Sequence, residues 1–322
     1  MILRLVGAML SVVALTIFPA ALPQAVAASA KPLEVGINVW VGWMPWWIVE
    51  QKGLLKKHGA NVKLKFFGVQ SESMAALASN HLDACALATN DVISVNRAKA
   101  HSSIVLLNDE SSGADMLIAR GLKSGSDLKG RKIAVEMGGV SHFFLSKLLE
   151  KSGLSERDVT LTNMTAADAG AAFIARGVDV AVTWEPYASQ AIKAGGTALL
   201  TSKDTPNLIV DVLAVRNPVL KTRRDDLVRL VAAWFDALDY VRTNPEDAFR
   251  IMAKASDVSV EEFRGMWSGV KMYSREDNLA AFGAGDGPYH ATVDGMSAFM
   301  VRQKLLSRSV SAKSMLDSSL LR

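Results

Sequence analysis

Tryptophans and carboxylates recur where this chain reads as passing from a strand into a helix. In open α/β sheets, ligands lie outside the carboxyl ends of the strands. Those ends fall at Trp40-Val41-Gly42-Trp43, Ser71-Glu72-Ser73, Thr89-Asn90, Asp115, Glu136 through His142, Met164-Thr165, Trp184-Glu185 and Asp211. Asp115, Glu136, Glu185 and Asp211 stand there with Trp40, Trp43 and Trp184, and almost no Lys or Arg accompanies them. Acidic groups beside indole faces suit an amine or a quaternary ammonium, through charge pairing and cation–π contact. A bare anion would more naturally meet a basic or neutral lining. Gly138-Gly139-Val140-Ser141, between a strand and a helix start, and the pair Ser71 and Ser73 offer backbone N–H groups to an anionic group. The candidate ligand contacts are therefore Trp40, Trp43, Ser71, Ser73, Thr89, Asn90, Asp115, Glu136, Gly139, Ser141, His142, Thr165, Trp184, Glu185 and Asp211.

Each has a plainer alternative. Either serine alone reads as an ordinary N-cap. Glu136 can cap a helix or pair with Arg131 or Lys132, and Asp211 can hold the backbone of a hinge. At least one of Trp46 and Trp47 reads as core packing. Asp83 and Asp179 sit at turns and read as structural. Catalytic arrangements are poorly supported. Of His58, His81, His101, His142 and His290, only His142 falls at a strand end, and neighbouring Ser141 points elsewhere on a helix start. Cys85 is the sole cysteine, which excludes an intrachain disulfide and a Cys-rich metal site; between Ala84 and Ala86 it reads as a small hydrophobe. The Gly-rich stretch 282–288 lacks the Lys-Ser/Thr of a phosphate loop and reads as a loop. No metal, cofactor or catalytic residue is expected.

The elements that must position these residues follow from periodicity. Alternation predicts strands at 33–40, 62–67, 83–88, 104–107, 132–136, 159–163 and 180–184, with helices between, opening with Pro45 to Lys57. That is an α/β fold built on mostly parallel sheet. Beyond about Lys221 the pattern is helical, clearest over 223–242 and 245–255. The segment 77–84 is echoed by 173–180, which suggests two similar lobes. At 322 residues, with 36 Lys+Arg against 32 Asp+Glu, the chain is long enough for two cores, and its charge of +4 supplies no basic tract for nucleic acid. Residues 1–27 join a short basic head, an apolar run and an Ala-rich end, the pattern of a cleaved signal peptide, after Ala27 or Ala30.

Four segments in order resemble the periplasmic substrate-binding proteins of ABC importers, in the nitrate/sulfonate/taurine (NMT1/ThiY-like) branch. They are GINVWVGWMPWWIVEQKGLLKKHGANVKL, LASNHLDACAL, SDLKGRKIAVEMGGVSHFFLSKLLEKSGLSERDV and GVDVAVTWEPYASQAIKAGG. The resemblance implies a two-lobe type II binding-protein fold, with the ligand in a cleft between lobes joined by two crossover strands. It places the lobes at 28–112 and 113–208, with 209–322 returning to the first, and hinges at 111–114 and 208–211. It further implies a periplasmic monomer without enzymatic activity that closes on a small-molecule solute and hands it to an ABC permease and its ATPase in the inner membrane. Residues and family together favour a taurine-like zwitterion or an organic amine. A nitrate-like anion or a thiamine-precursor pyrimidine is the alternative. An enzyme like the pyrimidine synthases of thiamine biosynthesis is remote, because those use a Cys-rich motif and work in the cytosol.

Overall fold

The computed structural model describes residues 31–68, 70–97 and 101–322. The signal-peptide expectation for 1–27 falls outside them.

Among the described residues, eleven strands form two sheets. The first contains β1 (Leu33–Asn38), β2 (Val62–Phe67), β3 (Ala84–Ala88) and β4 (Ser102–Ser111). The chain then crosses into the second sheet, made of β5 (Asp115–Ala119), β6 (Lys132–Val135), β7 (Thr160–Asn163), β8 (Val180–Trp184) and β9 (Thr197–Thr201). It returns through β10 (Val210–Arg216) and later adds β11 (Val270–Met272) to the first sheet. The strand orders are β11-β4-β10-β3-β1-β2 and β7-β6-β8-β5-β9. This is the two-lobe binding-protein architecture, with crossings at 112–114 and 202–209.

The expectation of mostly parallel sheet needs correction. β1 is parallel to β2 and β3, and β6 is parallel to β7 and β8. β10, however, runs antiparallel between β3 and β4, β11 is antiparallel to β4, and β5 is antiparallel to both β8 and β9. For β5 and β10 the crossovers cause this, since a strand that arrives from the other sheet without an intervening helix enters against the local strand direction; β11 instead follows the helix Val260–Trp267 within the first lobe. The predicted helix from Pro45 to Lys57 is also two helices, Pro45–Gln51 and Leu54–His58, because Gly53 adopts a left-handed φ of 62° between them.

Local sequence explains the cores. β3 is five small or aliphatic residues (ACALA), all buried, so neighbouring elements approach its backbone closely. Cys85 is buried there with no access to solvent, and burial pushes its thiol up to about 12. Trp46 packs its ring 4.6 Å from Trp234 of the helix Arg224–Thr243, and neither is exposed. Such a pair contributes about 0.5–1.5 kcal/mol beyond the area it buries. Asp83 accepts the Glu34 amide at 3.0 Å and faces Arg216 at 3.5 Å, so it is structural.

Candidate functional site

The first turn after β1 sets the floor of the cleft. Trp40 ends the extended segment, and Val41–Trp43 coils into one 3-10 turn, burying both indoles. Gly42 permits this turn to sit on β4: a β-carbon there would lie 2.1 Å from Cγ of Asp109. Trp40 Nε1–H donates to Asp109 Oδ1 at 2.9 Å. Asp109 is paired across the antiparallel ladder with Asp211 of β10, and a register shift follows between Asp211 and Val212. Both aspartates are buried, and Asp109 Oδ2 has no hydrogen-bond partner among the described residues.

A narrow cleft opens above this pair. Val39, Trp40, Trp43, Gln70 and Ala88 line it from the first lobe, Asp115, Val140 and Trp184 from the second, and Ile209 and Asp211 from the return crossing. No Lys, Arg or His is among the described residues of the lining. Trp43 is 2 % exposed, and its Nε1–H has no hydrogen-bond partner among the described residues. The site thus offers indole faces, one unused N–H donor and carboxyl acceptors.

Burial dominates the electrostatics. It raises Asp115 to about 7, opposed by a hydrogen bond with Ser111 and reinforced by the nearby charge of Glu185. Asp91, whose carboxylate accepts from Gln70 and Asn90, is likewise raised to about 7 by burial and by Glu136. Asp211 is raised well above the ordinary range by burial, then by Asp109 and Asp115. Three buried carboxyls, Asp91, Asp115 and Asp211, are thus shifted toward protonation, and a cation facing them would favour their ionisation.

Of the sequence-predicted contacts, Trp40, Trp43, Asp115, Trp184 and Asp211 come together in the lining. The others take different places. Thr89 donates to the Val210 carbonyl at 2.7 Å and touches the Tyr289 hydroxyl, tying the return strand to the helix Pro288–Arg302. Asn90 donates to Asp91 at 2.8 Å. Ser73 is buried and donates to the Gln70 carbonyl, whereas Ser71 is exposed. Glu136 accepts the Ala166 amide at 3.3 Å, the helix-capping alternative, and Thr165 is the exposed N-cap of the same helix, Ala166–Ile174. Glu185 holds Ser189 through both its backbone amide and its hydroxyl. Gly139 is the N-cap of the helix Val140–Lys151, and Ser141 Oγ in its first turn is buried with no partner among the described residues. His142 accepts the Gly138 amide at Nδ1, and its Nε2 lies 3.0 Å from Glu156 Oε1 but too far off line for a hydrogen bond. No group of three or more His, Cys, Asp or Glu among the described residues is arranged to hold a metal.

Sequence reading missed Asp109, Asp91 and Gln70. A signal for Asp109 was present: β4 runs from an apolar stretch into Asn108-Asp109-Glu110, and all ten of its residues are buried. Three polar residues continuing a buried strand mark a place where the strand serves a site.

The fold and cleft define a two-lobe binding protein. Residues 27–256 match the NMT1-like family, and the chain belongs to it. It is 27 % identical over 237 residues, 71 % of this chain and 74 % of the relative, to an Escherichia coli (strain K12) protein named for aliphatic-sulfonate binding. Among solved structures it resembles the periplasmic aliphatic sulphonate-binding protein SsuA from Escherichia coli, with a TM-score of 0.76 and 21 % identity over 89 % of this chain and 92 % of that one. It also resembles the desulfurization enzyme DSZB, with a TM-score of 0.68 and 16 % identity over 90 % and 97 % of the two chains. The fold is therefore common to binders and to an enzyme, and the cleft residues must decide between them.

Proposed function

We propose that this chain is the solute-binding component of an ABC importer, working in the periplasm as a monomer without enzymatic activity. Its lobes, 28–112 with 209–322 and 113–208, close on a small solute carrying an amine or quaternary ammonium, which passes to the permease. One observation carries this reading: three tryptophans and two buried aspartates line a cleft with no basic group among its described residues. A desolvated cation over an indole gains about 2 kcal/mol, and the aspartates supply its counter-charge.

A sulfonate on the same solute is the second reading, favoured by the unpartnered Trp43 N–H and by the buried, unpartnered Ser141 hydroxyl in the first turn of Val140–Lys151. An aminosulfonate such as taurine satisfies both. The relatives named for sulfonate binding agree with that choice. A nitrate-like anion or a neutral pyrimidine would leave the aspartates without a partner. Catalysis has little to work with, since the sole cysteine is buried in β3 and the cleft holds no base–nucleophile pair among the described residues.

The test is a thermal-shift panel of taurine, alkyl sulfonates, nitrate, thiamine precursors and choline. A ligand at a hundred times its dissociation constant adds about 2.7 kcal/mol and a plain rise in Tm. A rise with taurine or choline is expected. A rise with nitrate alone, unaffected by Asp115→Asn, would overturn the amine reading.

A further inference from the structure

Gln70 is the one uncharged hydrogen-bonding side chain, tryptophans aside, among the described residues of the cleft lining. It opens the helix Gln70–Ala78, where the buried Ser73 hydroxyl donates to its backbone carbonyl at 2.8 Å and fixes the first turn. Its side-chain Nε2 donates to Oδ2 of Asp91, a buried residue in the first turn of the helix Thr89–Arg97. Oδ1 of the same carboxylate accepts from the Asn90 amide at 2.8 Å. An ionised carboxylate only accepts, so the end of the Gln70 amide turned toward it is the –NH2. That leaves Oε1 for the cleft, with no hydrogen-bond partner among the described residues.

Indoles only donate, so Gln70 Oε1 and the carboxyls of Asp115 and Asp211 are the side-chain acceptors of this lining. They come from the first lobe, the second lobe and the return crossing. A primary ammonium carries three N–H donors to meet them. A quaternary ammonium carries none, although the indole faces attract it as well.

We propose that Gln70, oriented by Asp91, is a specificity-determining residue whose Oε1 accepts a hydrogen bond from the solute's ammonium, so that the cleft selects a primary amine over a quaternary ammonium. This rests on the amine reading above and narrows it. Asp91 does not line the cleft and acts through Gln70, as a positioning residue. The two aspartates of the lining attract either cation by charge, so charge alone gives no preference. Selection comes from the bond left unmade. A trimethylated cation shields Oε1 from water without offering it a donor, and a site built to hydrogen-bond a group rejects the analogue that lacks it.

Ethanolamine and choline differ only in three N-methyl groups and serve as the probes. They are titrated calorimetrically at a mildly alkaline pH, where Asp91, raised to about 7 by burial, is ionised. Ethanolamine should bind the unsubstituted protein about tenfold more tightly than choline, or better. Gln70→Met, close in volume and without an acceptor oxygen, should weaken ethanolamine about tenfold and leave choline nearly unchanged. A purely structural Gln70 would instead move both probes alike. Asp91→Asn should lower both affinities through the lost charge and also shrink the ratio between them, because the Gln70 amide is then free to turn. Choline binding as tightly as ethanolamine, or a Gln70→Met variant that keeps the ratio, overturns the selection while leaving the amine reading intact. Failure of both probes to bind overturns the two together. Should the variants not fold, the ratio measured on the unsubstituted chain decides alone.

Discussion

Gly42 and Asp109 touch so closely that a methyl group on the first would overlap the carboxyl of the second, with 2.1–2.3 Å to its Cγ and both oxygens. The 3-10 turn and the acidic strand are therefore mutually dependent. Gly42→Ala should lower stability by about 1–3 kcal/mol, the usual cost of overpacking a fixed core. It should also turn Asp109 away from Trp40 and weaken amine binding. Urea unfolding and ligand titration measure the two effects; an alanine variant with unchanged affinity would mean that the contact is only packing.

Asp115 has opposite effects on stability and on binding. Buried beside Glu185 with no cation, it is a liability in the empty protein, so Asp115→Asn should raise the melting temperature. The same change removes a counter-charge from the cleft and should weaken binding of choline or taurine by tenfold or more. Thermal melting and calorimetry on one variant read both signs. A fall in melting temperature would show that Asp115 is held by partners instead of isolated.

The pH dependence of stability follows from the same carboxyls. Asp91 and Asp115 titrate near 7 in the fold but near 4 in the unfolded chain. Between those values the native state binds more protons than the unfolded one, so stability falls as pH rises through that window. Asp226, Asp236 and Asp277 are held below the usual range by hydrogen bonds and neighbouring cations that outweigh their desolvation, and the stability they add is lost only at lower pH. Without ligand, the melting temperature should therefore peak near pH 4–5 and decline toward neutrality. A bound amine should flatten the decline. A melting temperature that climbs steadily to pH 8 would contradict this ordering of the groups.

Periodicity located much of this fold, and for physical reasons. β2 and β8 were legible to the residue because each has an unbroken β-rich run between turn residues. β5, β9, β10 and β11 were not, since their identity as strands comes from partners supplied by a different part of the chain. The direction of β10 was equally hidden, because it depends on the crossing at 202–209 and not on local pattern. In the site, Trp40, Trp43 and Trp184 converge with Asp115 and Asp211, but the two aspartates stand at the starts of β5 and β10, not at the carboxyl ends where sequence reading put them, and they reach this edge because those strands run antiparallel to their neighbours. Asp109 escaped because sequence reading ended its strand at Leu107, whereas the ladder with β10 continues to Glu110. Serine and threonine at helix starts were ambiguous by nature; Thr165 proved to be an N-cap.

Phe143 offers the sharpest test of lobe closure. It sits on the helix Val140–Lys151, beside the second sheet, yet its ring lies 4.4 Å from Phe299 on the helix Pro288–Arg302 and joins the first lobe's core. The ring is thus an apolar contact between lobes, a few residues from Val140 in the cleft wall. If the lobes open and close as proposed, losing it removes attraction from the arrangement that holds this contact and not from an opened one, where Phe143 would meet water. Phe143→Ala should therefore speed solute release by tenfold or more while the association rate changes little, because the binding groups are untouched. The exposed Lys193–Glu262 ion pair also spans the lobes, but charge pairs in water contribute little, so Lys193→Ala should leave release nearly unchanged. Stopped-flow displacement on the two variants separates these outcomes. If both release solute at the unsubstituted rate, then the Phe143–Phe299 contact belongs to the fold of each state equally, and closure is held elsewhere.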